Sequence, residues 1–118
     1  MTFIQLAPFA AKWKRLRLTD EDLVALETML LDDPNAGAVM QGTGGLRKVR
    51  FAPPSWHVGK SGAARVCYAH FAVFDSVCFV TLFAKTDQAN LSRAERNDVA
   101  TVLQRVREGL RKTNPGKG

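Results

Sequence analysis

Between Gly45 and Phe71 the chain carries Arg47, Lys48, Arg50, Lys60 and Arg65 and no aspartate or glutamate, although 11 carboxylate side chains occur elsewhere. The acid-free window runs from Pro34 to Phe74. In "LRKVRF" the side chains of a strand alternate, so Lys48 and Arg50 share one face while Val49 and Phe51 share the other. Cations at i and i+2 stand about 7 Å apart, a separation suited to gripping neighbouring phosphate oxygens. Taken alone, such a pair is the ordinary makeup of a solvated strand face. Arg65, opening the next strand after "GKSG", and Lys85, closing the third, shift the reading. Adjacent strands can gather these cations into one patch that no carboxylate neutralises.

Other chemistry-bearing residues are sparser. Tyr68 lies three residues beyond Arg65, on the opposite face of a regular strand unless a bulge near residues 62–64 redirects it. Its structural alternative is a core tyrosine with a satisfied hydroxyl. His57 falls in a loop and His70 in mid-strand, not at metal-ligand spacing. "GTGG" and "GKSG" lack the spacing of phosphate-cradling loops, and a strand follows "GTGG" where a helix N-terminus would be needed. No carboxylate pair falls in the window, which argues against glycosidase chemistry and against a metal-dependent nuclease. The reading requires no metal and no cofactor.

The elements that must position these residues follow from local pattern. "TFIQL" reads as a short strand and "FAAKWKRL" as a brief helix. "LTDEDLVALETMLLDDPNAG" predicts a helix capped by Thr19 or Asp20, with Leu23, Leu26 and Leu30 on one face and Pro34 and Gly37 as its stop. A turn on Gly42, Gly44 and Gly45 leads into a strand near Leu46, and "APPSWHVGKSG" reads as a loop. Residues 64–73 and 77–85 predict a hairpin across Asp75–Ser76, its second strand apolar on both faces and so central. Ser92-x-x-Glu95 is a capping box opening a C-terminal helix striped by Val99, Val102, Leu103, Val106 and Leu110. The order β-α-α-β-β-β-α predicts an α+β domain over residues 1–113, with helices on one face of a small antiparallel (mixed) sheet. Residues 114–118 read as a flexible tail.

Length and charge set the bounds. At 118 residues with 46% apolar composition, the chain suits one domain with a real core. Its net charge is +6, and the sequence pI is about 9.8. Residues 1–33 carry four cations and six anions, and residues 75–118 carry eight and five. The excess is concentrated in the middle, which points to a polyanion or an acidic protein as partner. The N-terminus has its apolar residues before its cations, the reverse of a secretory leader, and no apolar run approaches the ~20 residues of a membrane span. Cys67 and Cys78 read as buried free thiols of a reducing cytoplasm, with pairing across the hairpin as the lesser alternative.

"GTGGLRKVR" followed by "GKSG-x-x-R-V-x-Y", with "TLFAKTDQANLS" downstream, resembles the RelE superfamily of type II toxins, most closely its HigB branch. The likeness covers most of the chain. It implies a compact sheet flanked by helices and a cytoplasmic endoribonuclease that cuts translated mRNA on the ribosome. It also implies neutralisation by a cognate antitoxin, expected to be a helix-turn-helix protein encoded alongside. By this resemblance Lys48, Arg50, Arg65, Tyr68 and Lys85 fall on catalytic positions and Lys60 on the loop lysine of the HigB branch, while the surplus charge of Arg47, Lys60 and the C-terminal helix suits docking on ribosomal RNA. Ala63, Ala69 and Thr86 depart from the family pattern, where glycine, tyrosine and asparagine are common.

The resemblance also gives the acid-free window a chemical purpose. Attack by a ribose 2′-hydroxyl on the adjacent phosphate, without metal, builds negative charge that a cation cluster stabilises more than it does the ground state. Two other readings remain at this stage: a non-enzymatic, ParE-like toxin that binds a protein such as gyrase, and a catalytically weak RNA-binding relative.

Overall fold

A computed structural model describes residues 1–57, 62–84 and 91–116. The order is β1 (Thr2–Gln5), α1 (Ala7–Arg15), α2 (Asp20–Asp32), β2 (Ala38–Val39), β3 (Arg47–Phe51), β4 (Ala64–Phe71), β5 (Ser76–Phe83) and α3 (Arg93–Thr113). The helix starts are written in the sequence. Pro8 occupies the first turn of α1, where its missing N–H costs nothing. At α2 the Thr19 hydroxyl accepts from the Asp22 N–H while Asp22 accepts from the Thr19 N–H. Ser92 and Glu95 exchange the same pair of bonds at α3. Each box satisfies donors that a helix start leaves orphaned.

The strands form one sheet in the order β1-β5-β4-β3-β2. The β2–β3, β3–β4 and β4–β5 pairs are antiparallel, and β1 runs parallel to β5. The predicted α+β class holds, with the sheet mixed and one short strand, β2, beyond the predicted order. The predicted hairpin forms but turns earlier than expected, through a short 3-10 turn at Ala72–Phe74 and a left-handed Asp75 (φ 48°), so that Ser76 already pairs with Phe71.

The expectation of helices on one face needs correction. On one side α1 and α2 bring Phe9, Leu26 and Leu30 against Phe51, Val66, Tyr68 and Phe79, where Phe9 stacks on Phe79 at 4.8 Å. On the other side α3 seats Leu103 against Leu46, Cys67, Ala69, Phe71 and Cys78. The doubly apolar β5 signalled this, because a strand lacking a polar face must be covered twice. Truncating Leu26 or Leu103, both fully buried, to alanine should cost about 2–5 kcal/mol.

Two glycines hold the site's frame. A Cβ at Gly37 would lie 2.9 Å from the carbonyl carbon and oxygen of Lys48, so the loop after α2 can press on β3 only with glycine there. Gly44 takes a left-handed φ of 73° under Ala100 of α3. The turn around it closes on buried Thr43, whose hydroxyl donates to the Met40 carbonyl and accepts from the Leu46 N–H. Among the described residues no helix is long and apolar enough to cross a membrane.

Candidate nucleic-acid interface

The β3–β4 register sets Arg50 opposite Arg65 and Lys48 opposite Cys67, and the β4–β5 register continues those rows to Phe83 and Thr81. Paired residues of antiparallel strands project to the same side. Lys48, Arg50 and Arg65 therefore share the sheet face that α3 also uses. The Cα atoms of directly opposed residues stand about 5 Å apart. Arg50 is exposed, and Lys48 and Arg65 are half-buried. One guanidinium nitrogen of Arg65 donates to the Ala63 carbonyl at 2.9 Å, which fixes the side chain near its own strand start. Among the described residues neither Arg50 nor Arg65 forms an ion pair with a carboxylate.

Cys67 reports on the field of this face. Burial pushes its thiol up to about 11, against the opposing pull of the Lys48 and then the Lys12 ammonium. Lys12, from α1, comes to this side of the sheet beside Thr81 and Phe83 of β5, a residue the sequence reading did not select. Its signal was available: Phe9 and Trp13 mark the buried side of α1, and Lys12 adjoins that side, so its stem can lie along the core with its charge at the rim. Cys78 is likewise buried and pushed up to about 11 by desolvation, and both thiols are free.

Tyr68 is not brought to the patch. It lies on the opposite face, fully buried, donating to the Pro34 carbonyl at 2.8 Å and accepting from the Gly37 N–H at 3.0 Å. Burial raises its pKa, while the Gly37 bond and the Arg47 charge oppose that rise. A register irregularity does occur in the β4–β5 pairing, where Val80 of β5 is passed over between the partners of Cys67 and Tyr68, but it leaves Tyr68 on the α2 side. The hydroxyl clamps the loop after α2, and nothing on the cation face can reach it. This arrangement runs against the catalytic position that the resemblance implies.

Arg47 belongs to the same clamp. It pairs with Tyr68 across the strands, and its guanidinium donates to the carbonyls of Gly37 at 2.8 Å and Asn35 at 3.4 Å. It faces away from Lys48, Arg50 and Arg65. His70 Nδ1 lies 3.0 Å from the Asn35 side-chain oxygen, and His57 lines an open hollow together with the first turn of α2. Neither histidine is at the patch. Lys60 and Lys85 fall outside the described residues.

Acid exclusion holds along the chain but not in space. A cleft of about 250 Å³ borders the patch, floored by Val80, Thr81 and Phe83, with Lys12 on its α1 side and Glu95 and Asp98 on its α3 side. The tertiary fold carries these carboxylates to the rim from outside the window. No group of three or more His, Cys, Asp or Glu among the described residues could hold a metal ion.

Chemically, two register-paired arginines with the Lys48 ammonium on the same face suit a phosphate or phosphodiester. Guanidinium planes bind its oxygens in pairs, and the lysine adds point charge. Compared with the models of known protein families, the chain matches none.

Proposed function

We propose that this chain is the toxin of a type II toxin–antitoxin pair and cleaves translated mRNA on the ribosome in the cytoplasm. The observation that carries the proposal is the register placing Arg50 opposite Arg65, with Lys48 on the same face. Like charges directly opposed on paired strands are destabilising. Holding two there with no carboxylate bridge among the described residues suits a site whose counterion is its ligand. The resemblance of "GTGGLRKVR" and "GKSG-x-x-R-V-x-Y" to RelE-superfamily toxins names that ligand as RNA. Cleavage then proceeds by 2′-hydroxyl attack on the adjacent phosphate, the bond to the 5′ oxygen breaking as the bond from the 2′ oxygen forms. Arg50 and Arg65 hold the charge that builds on the non-bridging oxygens, and Lys48, on the same face, is the group placed to move protons.

A patch of this size does little to enforce in-line geometry by itself, so the ribosome supplies the alignment. The partner expected in the resting cell is an adjacent-gene antitoxin that covers the cationic face. The test is induced expression with mapping of mRNA 5′ ends. Growth arrest with new ends inside translated frames supports the reading, and arrest with intact mRNA would overturn it. That second outcome favours the protein-binding alternative, for which the burial of Tyr68 away from the patch speaks.

A further inference from the structure

The cleft beside the patch lies where RNA gripped by the patch would place a base. Arg65 is the register partner of Phe83, and Cys67, beside Lys48, is the partner of Thr81. Phe83 and Thr81 are also the cleft floor. Strands are spaced about 5 Å apart, so a phosphate on Arg65 and an object in the cleft are separated by roughly the span of one ribose. Because Val80 is passed over where the register shifts, Val80 and Thr81 both face the cleft and widen its floor. Among the described residues Leu91 and Val99 add an apolar wall, and at about 250 Å³ the space suits one planar ring system rather than a larger ligand.

Its polar groups come from two different helices. Lys12 offers donors from α1, and Asp98 offers an acceptor-only carboxylate from α3. Glu95 is partly committed, since one of its oxygens accepts from the Ser92 N–H at 2.9 Å. A carboxylate beside a phosphate-binding patch opposes RNA affinity unless it is repaid by a donor on the RNA. The Watson–Crick edge of guanine offers a ring N–H and an amino group side by side for a carboxylate, with its O6 as acceptor for an ammonium. Uracil has no exocyclic amino group to give.

We propose that the cleft between α1, β5 and the first turns of α3 seats an RNA base bearing an exocyclic amino group, guanine best, with Asp98 reading its donors and Lys12 its carbonyl. The inference rests on the reading of the cation patch as an RNA site. It makes base preference a property of the protein as well as of the ribosome.

The experiment measures binding, not cleavage, so it is independent of the nuclease chemistry. Short fluorescent RNA strands, uniform in uracil except for one central base, are titrated against the full chain by anisotropy at fixed salt. Guanine over uracil is expected to be about tenfold at the central base. In Asp98→Asn that ratio should fall to near one, even though loss of an anion raises affinity for all strands. Leu91→Trp, which fills the cleft, should also erase the ratio and leave the salt-sensitive affinity in place. Equal affinity for all four bases in the wild type, or an unchanged ratio in both variants, would overturn the cleft assignment while salt-dependent binding keeps the patch. Absence of binding to any strand at low salt would overturn both.

Discussion

Arg50 and Arg65 face each other as register partners on β3 and β4, and neither meets a carboxylate among the described residues. Removing one relieves a like-charge contact and, under the proposed function, also removes a donor fork from the RNA phosphate. Arg65→Ala should therefore lower RNA cleavage by about two to three orders of magnitude, equivalent to about 3 kcal/mol of transition-state stabilisation. Its melting temperature should change little, because relief of the like-charge contact offsets loss of the bond to the Ala63 carbonyl. Cleavage assays on programmed ribosomes, paired with thermal melts, check both halves. A folded variant with full activity would remove the patch from the chemistry.

Tyr68 separates structure from catalysis. Tyr68→Phe strips a partner from both the Pro34 carbonyl and the Gly37 N–H, and each buried group left unpaired costs about 1–3 kcal/mol. The variant should unfold at lower denaturant concentration while cleaving at the wild-type rate per folded molecule. Lost cleavage with unaltered stability would restore the catalytic role that the resemblance implies.

Asp22 ties the loop after β3 to α2. Its carboxylate accepts from the Ser55 hydroxyl at 2.6 Å, the Ser55 N–H at 3.0 Å and the Thr19 N–H at 2.8 Å. Burial opposes ionisation, but these bonds outweigh it and hold the carboxyl below its ordinary 3.8. The folded value is depressed, so the contribution is fully present above about pH 4, where an unfolded aspartate is also ionised, and is lost as pH falls through the lower folded value. Asp22→Ala should cost about 2 kcal/mol at neutral pH through the lost cap and tether. The gap to wild type should narrow below about pH 4, as urea melts across pH 2–7 would reveal. A constant gap would show that the ionised form contributes nothing.

The thiols of Cys67 and Cys78, buried and pushed up to about 11, should resist alkylation at pH 8 in the native protein. They should react rapidly once the chain is unfolded, since the thiolate is the reactive form. Mass spectrometry after a timed iodoacetamide pulse distinguishes the two states. Rapid native labelling would mean that the face under α3 opens readily.

Cleavage of the same mRNA with and without programmed ribosomes, at equal salt, tests the need for a scaffold. Free RNA should be cut at least about a hundredfold more slowly, because alignment of the reacting groups is the contribution the small patch lacks. Comparable rates would withdraw the ribosome requirement and leave the nuclease reading in place.

What the sequence determined by itself is local. The Thr19 and Ser92 caps, the turn at Asp75 and the alternation of β3 each depend on residues within a few positions of one another, where side-chain hydrogen bonds and backbone sterics act directly. Its charge pattern also grouped Lys48, Arg50 and Arg65 in one acid-free window, and the register sets the three on one sheet face. Only tertiary structure decided that Arg50 stands opposite Arg65, that Tyr68 points into the other core, and that β1 lies parallel to β5. Those outcomes depend on register between segments distant in the chain, and a shift of one residue would exchange the faces. The same holds for Lys12 and Asp98. Each looks like an ordinary surface charge in its own helix, and they meet at one cleft only because α1 and α3 cover opposite faces and converge at the edge of β5.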